Sequence, residues 1–489
     1  MLNNRQKVIK GLSTQSVITI ISGVLEIVSF SIMSRLLSQK DFGYYAAIIA
    51  ISSVFISLTE TGIGSSLVQK KDLDKKYINS AFSLSFIFGV VISGTLCLLS
   101  GLLAKFVADE TMTFPLRLFS ATLLCNCLTS VNMALLQREL RFIKIGVIKL
   151  TSFFLTTAIA IFLAVKGMGY YAILTKAVLQ SVIILLFSFL AVKVKYSFVY
   201  DKTEFKKIFN FGGWLMFSAL FRNLSHQVDK LLMTNLFSIE TLGMYTRPKE
   251  FISRISDKFN SIFDSVLFPV LSTIQDDNEK LQNSFFSAVY FLNMFGMLIA
   301  LSFFCNSELL IRIFFSEEWL NTNGLFMTLS VYPVFLINGR LSDVFLRSVA
   351  LTKQQFFFRV GQFVLAVAFI FVGYRFGIIA VAVSIMFSYF TITAIKICYF
   401  AKKINIRIRD IVAKVLKSFR FVLYVIPIYL LCRTFLPHTW TGNIIQSVIF
   451  TTVIAIIFLA APKLVGEKYK IEIHSKIISF INTKVLKRK

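Results

Sequence analysis

Apolar runs of about 20 residues recur along the whole chain, separated by short polar and basic stretches. A helix rises about 1.5 Å per residue, so each run is long enough to cross the ~30 Å hydrocarbon layer of a bilayer. The pattern predicts about fourteen spans, at 14–36, 42–68, 78–104, 114–136, 145–165, 170–192, 208–236, 242–269, 284–306, 325–347, 356–376, 377–399, 413–436 and 442–462. The connections are short, and the longest, about 193–207, is far below the size of a domain. The expected fold class is all-α: a polytopic membrane protein.

Part of the pattern occurs twice. Ser34 to Tyr45 reads SRLLSQKDFGYY and Thr234 to Tyr245 reads TNLFSIETLGMY, with Leu36, Ser38, Gly43 and Tyr45 recurring at a constant offset of 200 residues. Gly169-Tyr170-Tyr171-Ala172 opens the sixth span and Gly377-Ile378-Ile379-Ala380 the twelfth. Such a period is too long for a solenoid and indicates two copies of one large unit. Six spans per copy is an even number, so both copies enter the membrane from the same side, as parallel repeats. The expected organisation is an N-terminal bundle over 1–200 (spans 1–6), a second bundle over 201–400 (spans 7–12), and two additional spans with a basic tail over 401–489. Two such bundles facing each other enclose a central cavity, the plan of a rocking transporter. The segment Asp201 to Phe211, DKTEFKKIFNF, reads as a short amphipathic interfacial helix leading into the second bundle.

Composition agrees. The 489 residues are 56% hydrophobic and 16% charged, with mean hydropathy +0.74, both shifted from soluble proteins toward the membrane. Seven prolines allow long unbroken helices. The first apolar run is too long for a signal-peptide core and is taken as the first span. The net charge of +27 is a topology signal. Lys70, Lys75, Arg138, Arg141, Lys206, Lys402 and Lys403 cluster in alternate connections, which places both termini in the cytoplasm. Divided among so many loops, the charge does not suggest a nucleic-acid partner. The six cysteines fall in or beside apolar runs and read as small apolar residues. The three histidines are too scattered for a metal site, and no cofactor is expected.

Ionisable groups inside spans cost about 2.5–3.5 kcal/mol each on insertion scales, and here they cluster. The seventh span carries Arg222, His226, Asp229 and Lys230. The eighth carries Arg247, Glu250, Arg254, Asp257, Lys258 and Asp264, and the tenth Arg340, Asp343 and Arg347. The first and second spans hold one carboxylate each, Glu26 and Glu60. Neighbouring acids and bases could pair to hold helices together, Arg254 with Asp257 or Glu250 for example. The repeat favours a cavity wall instead. At the 200-residue offset Arg254 corresponds to Val54, Arg247 to Ala47, His226 to Glu26 and Asn260 to Glu60, so one copy dispenses with charge at the Arg positions. Guanidinium forks match phosphate oxygens. Arg222, His226, Arg247, Arg254, Lys258 and Arg340 are therefore candidates for binding an anionic substrate. Glu26 and Glu60 are candidates for a coupling proton or cation, with structural pairing an open alternative.

SRLLSQKDFGYYAA, then GIGSSLVQKKDLD, then Asn79-Ser80-Ala81-Phe82, resembles the start of Wzx-type polysaccharide exporters, in particular the colanic acid exporter-like branch. Asn223, Asp229-Lys230-Leu231-Leu232 and Leu242-Gly243-Met244-Tyr245 resemble that family's seventh and eighth spans. Gln39 departs from the pattern, where a proline is expected. The resemblance implies a bacterial inner-membrane flippase that moves undecaprenyl-diphosphate-linked oligosaccharides outward by alternating access, with no catalytic residues. A polysaccharide polymerase and co-polymerase are the expected protein partners. An ion-coupled multidrug/cation antiporter of the same superfamily is the alternative, against which the surplus of Arg and Lys in the cavity argues. A polymerase or ligase would need a sizeable external loop, which the sequence lacks.

Overall fold

The computed structural model describes residues 4–419, apart from 60–62, 71–72, 108, 193, 200, 275–276 and 350, and a few positions between 426 and 452. Among the described residues the chain is helical and holds no strand. In order the helices are α1 (Asn4–Leu36), α2 (Gln39–Thr59), α3 (Ile63–Gln69), α4 (Lys75–Phe106), α5 (Thr113–Arg138), α6 (Phe142–Val165), α7 (Tyr170–Ala191) and α8 (Lys202–Leu236). They continue with α9 (Ile239–Thr273), α10 (Asn278–Cys305), α11 (Ser307–Phe314), α12 (Asn323–Leu329), α13 (Tyr332–Ser348), α14 (Thr352–Gly373), α15 (Ile378–Lys403) and α16 (Ile408–Ser418).

Eight helical stretches among the described residues are long and apolar enough to cross a membrane, or nine if a bent pair forms one span. Helices α1, α8 and α9 have 33, 35 and 35 residues, about 50 Å each, and carry the ionisable groups that set them apart from purely apolar spans. Each of the first twelve predicted runs falls on helix. More than half of each of the last two, 413–436 and 442–462, lies outside the described residues.

Local chemistry sets the helix ends. Asp74, Asp201 and Asp277 stand at N-caps, their carboxylates accepting the backbone N–H of Tyr77, of Thr203 and Glu204, and of Lys280. Gly169 (φ +54°) precedes α7 and Gly377 (φ +92°) precedes α15, where a positive-φ residue turns the chain into the next helix. Two expectations change. The run 325–347 is broken between α12 and α13 and bent by 41°. Pro333 sits in the first turn of α13, where its missing N–H does no harm but its ring blocks continuation from the preceding turn. The lead-in at 201–211 is not a separate helix, because α8 runs unbroken from Lys202.

Packing divides the chain into two compact units. One comprises Met1–Lys258, Ile311–Leu329 and Thr352–Ile392; the other comprises Phe259–Leu310, Ser330–Leu351 and Thr393–Lys489. In the second unit α10 packs on α13 and α16. Phe285, Phe345 and Phe400 fill its core with centroids 5.0–5.3 Å apart. Asn293 and Asn338 exchange amide hydrogen bonds there, and Lys396 pairs with Asp343 at 2.8 Å.

In the first unit α4 packs on α5, α6 on α7, and α8 on both α2 and α14. The residues 194–199 lie along α4. Ser197 N–H donates to Asn79 Oδ1 (3.3 Å), Val199 N–H donates to Ser83 Oγ (3.0 Å), and Tyr196 stacks on Phe82 at 4.2 Å. The motif residues Asn79 and Phe82 thus fasten the connection into α8. At the other end of the helices, residues 311–322 cover the α1–α2 corner. Arg35 donates to the Ile313 carbonyl (2.7 Å), the Trp319 indole to the Ser34 carbonyl (3.2 Å), and Gln39 to Asn321 (2.9 Å).

Helices α2 and α9 cross at their first turns with no room for a side chain. A Cβ on Gly43 would stand 1.8 Å from the Ile239 carbonyl oxygen, and one on Gly243 would stand 1.8 Å from the Gln39 carbonyl oxygen. Only glycine permits that approach.

Candidate functional site

The α2–α9 crossing brings the ionisable stripe of α9 against α1. Arg247, Glu250, Arg254 and Lys258 follow one another at spacings of three and four, so they share one helical face. The opposite face turns to α8, where Asp229 accepts hydrogen bonds from Lys249 and from the Tyr245 hydroxyl (2.6 Å). All three side chains are buried.

Arg247, Glu250 and Arg254 of the stripe form one wall of a cavity of about 240 Å³ in the first unit, and Lys258 lies one turn further along. Glu26, Ser29, Phe30 and Met33 of α1, and Phe42 and Tyr45 of α2, form the adjoining walls. Phe153 of α6 and Ile173, Lys176, Ala177 and Gln180 of α7 complete them. The charged lining is Lys176, Arg247 and Arg254 against Glu26 and Glu250, a formal excess of one positive charge.

These groups are held in different ways. Arg247 is buried and held by both hydrogen bonds and rings. Its guanidinium donates to Ser34 Oγ (3.0 and 2.8 Å) and to the Phe30 carbonyl (2.8 Å). It also lies between two rings, 3.3 Å from the Phe30 centroid and 3.9 Å from that of Phe42. Glu250 accepts from buried Lys230 at 3.0 Å and stands 3.8 Å from Arg247. Lys176 donates to Ser29 Oγ (2.8 Å) and sits 4.5 Å from the Phe153 ring centroid, with no carboxylate within ion-pair reach among the described residues. Arg254, with 45% of its side chain exposed, approaches Glu26 at 3.9 Å, and Lys258 approaches the same oxygen at 3.4 Å.

Of the predicted site residues, Arg247, Arg254, Lys258 and Glu26 are brought together. Two details differ from expectation. Arg254 meets Glu26, far away in the sequence, rather than Asp257 or Glu250. Glu26 is accordingly not a lone carboxylate. Arg247 is built into the wall, because its Nε and Nη2 are hydrogen-bonded to α1 and its guanidinium is enclosed by Phe30 and Phe42. Arg222 is half-buried on α8 and His226, on the same helix, is exposed with Nδ1 3.1 Å from the Tyr389 hydroxyl; neither lines the cavity. Arg340 is half-buried on α13 of the second unit. Glu60 lies outside the described residues. Lys176 was not singled out from the sequence, although a lysine inside an apolar run is itself a signal. Glu250 was noted in the stripe but not assigned to the site.

The family described as "Polysaccharide biosynthesis protein" matches residues 32–323, more than half of the chain. The chain is 24% identical over 320 residues to the lipopolysaccharide biosynthesis protein WzxC of Escherichia coli, spanning 64% of each, a little under two thirds of that relative's length. It is 21% identical over 336 residues to the teichuronic acid biosynthesis protein TuaB of Bacillus subtilis, covering 68% of this chain and 69% of the other. Among solved structures, the lipid II flippase MurJ in an inward closed conformation superposes with a TM-score of 0.69 at 14% identity, over 92% of this chain and 99% of that one. An inward-facing multidrug resistance MATE transporter gives 0.63 at 13%, over 80% and 98%. At these identities the superpositions establish the fold alone.

Proposed function

The chain belongs to the polysaccharide biosynthesis protein family, and on that premise we propose that it is a flippase for polyprenyl-diphosphate-linked oligosaccharides serving surface polysaccharide synthesis. The single observation that carries this reading is the cation-rich cavity, with the part-exposed Arg254 on one side, Lys258 beside it against Glu26, and Lys176 on another side. A diphosphate presents clustered oxygens that a guanidinium fork and two ammonium groups can share. Arg254, Lys258 and Lys176 hold the diphosphate, while Arg247 keeps the wall in place. The cavity has the volume of about eight water molecules, so it admits the charged head group in this state, and the sugars enter once the walls part. No covalent step is required, and the protein acts as a transporter, not an enzyme. The names of the relatives and the shared fold with a lipid II flippase support the same reading. An antiporter of organic cations would face a lining with more positive than negative charge.

In this reading the protein sits in the bacterial inner membrane with both termini in the cytoplasm, supported by the Lys/Arg bias of its connections. It consists of two six-span copies, 1–200 and 201–400, followed by 401–489. The matching glycines at 43 and 243, and at 169 and 377, support that division. A polymerase and its co-polymerase receive the product.

The test is complementation of a flippase-deficient host, reading surface polysaccharide and the membrane face that holds the lipid-linked precursor. Arg254→Ala is expected to trap precursor on the cytoplasmic face at normal protein abundance, and Arg254→Lys to fall between it and wild type. Normal polysaccharide output from an Arg254→Ala, Lys176→Gln double variant would overturn the reading.

A further inference from the structure

The ionic contacts that α9 makes with α8 and α1 fall into two groups. Lys249 with Asp229 and Lys230 with Glu250 are close, and both lysines are less than a tenth exposed. Removing either partner would leave a charge buried without compensation, so these pairs are permanent fixtures. Glu26 with Arg254 and Lys258 is different. The separations are 3.9 and 3.4 Å, and the three side chains are 32%, 45% and 39% exposed. Contacts that long and that wet contribute little to stability and exchange readily.

The two cations do not depend on Glu26 for their places. The stem of Lys258 lies over Gly23, whose missing Cβ would stand 3.3 Å from Lys258 Cε. The Arg254 guanidinium lies 5.9 Å from the Phe30 ring centroid. Three residues beyond Glu26, on the same face of α1, Ser29 holds Lys176.

Building on the flippase reading, we infer that Glu26 is a displaceable counter-ion which sets the charge selectivity of the cavity. Without a ligand, its carboxylate offsets part of the charge of Arg254 and Lys258. A ligand reaches those cations only by out-competing it. A diphosphate does so, because several negative oxygens at one point engage both cations at once and match the guanidinium fork. A group with a single negative charge offers no more than Glu26 already supplies, and neutral or cationic solutes offer less. Glu26 therefore subtracts one displacement cost from every anion, so that a diphosphate, which engages both cations, keeps useful affinity where a weakly held anion does not.

The experiment measures calorimetric binding of inorganic pyrophosphate and of orthophosphate to the full-length protein in nanodiscs, with thermal melting to confirm folding. Glu26→Gln is expected to bind pyrophosphate five- to tenfold more tightly, and orthophosphate to gain by a similar factor from a weaker starting affinity. Glu26→Asp, with a shorter reach, should fall between Gln and wild type. Arg254→Gln should weaken pyrophosphate binding at least tenfold, and Glu26→Gln combined with it should recover little. Binding that requires Arg254 but is unchanged or weaker in Glu26→Gln overturns this inference alone. No pyrophosphate binding in any variant overturns the flippase reading and this inference with it.

Discussion

Arg247 and Arg254 stand two turns apart on one face of α9, yet the structure predicts opposite consequences for removing them. Arg247 is 6% exposed and makes three hydrogen bonds as well as both ring contacts. Replacing it with alanine empties the slot between Phe30 and Phe42. A desolvated cation–π contact is worth about 2 kcal/mol, and hydrogen bonds from a charged donor about 1.5–3 kcal/mol each before non-additivity. Against this stands the relief of the desolvation cost of a buried charge. The net expectation for Arg247→Ala is a loss of about 3–5 kcal/mol. Arg247→Met separates charge from volume. Ser34 Oγ still donates to the Phe30 carbonyl at 2.8 Å, and Glu250 still has Lys230 at 3.0 Å, so no acceptor is stranded. Methionine fills the slot and makes its own contacts with the rings, so its loss should stay within about 1.5 kcal/mol. Arg254→Ala breaks only an open pair, worth about 0–1 kcal/mol. The assay is the fraction of monodisperse protein surviving a heating series in detergent, read by size exclusion. The expected order of thermal tolerance is wild type and Arg254→Ala together, Arg247→Met slightly below, Arg247→Ala far below. If Arg254→Ala falls as far as Arg247→Ala, the open pair is structural and the distinction drawn here fails. If Arg247→Met falls as far as alanine, charge and not shape holds the wall.

Gly43→Ala and Gly243→Ala should each cost about 1–3 kcal/mol or more, since each new methyl meets a backbone oxygen. One separation of α2 from α9 relieves both overlaps, so the double variant should cost less than the sum, whereas Gly101→Ala, with nothing within 4 Å, should be neutral or gain about 0.5–1 kcal/mol; the heating series checks all four. The Lys76 ammonium, the Thr203 hydroxyl and the Glu204 N–H hold the Asp201 carboxylate well below the usual range. The docking of the α8 start on α4 should therefore be complete at any pH above the ordinary carboxylate value near 3.8 and be lost only as pH falls through the lowered folded value. Hydrogen exchange of the amides at 202–206 should show that acid-dependent opening in wild type and not in Asp201→Asn.

Most of the helices were legible because a membrane span must satisfy its own backbone and so leaves a long apolar run in the sequence. The matching strings stood out in the sequence because glycine has no substitute where two backbones touch or φ is positive, which makes Gly43, Gly243, Gly169 and Gly377 readable markers. The clustering of charge on α9 was also readable, since a 3.6-residue period converts spacing into a shared face. The partners were not. Arg254 had acids at positions 250 and 257, and nothing local says that Lys230 takes the first while Glu26 crosses from α1. Arg247 and Arg254 look alike in sequence, and only packing shows one enclosed by rings and the other open. Lys176 escaped notice because it stands alone, without the flanking charges that drew attention to α8 and α9. The break at 330–331 was signalled by Pro333, which hydropathy averages over.

The Gly43–Gly243 contact has one more property. Position 43 meets 239 and position 243 meets 39, so the contact maps onto itself when segments 39–43 and 239–243 are exchanged. It is the kind of self-complementary patch that joins two identical molecules in an isologous dimer, and it uses backbone alone. A half-length protein carrying this patch could pair with its twin. In that dimer, however, every charge would appear twice, and an arginine on one arm would face its own image. Joining the halves in one chain removes that restriction. One arm can then carry Arg247 and Arg254 while the other keeps Ala47 and Val54 and contributes Glu26, giving a cavity with a positive side and an opposing acid that two identical arms could not make.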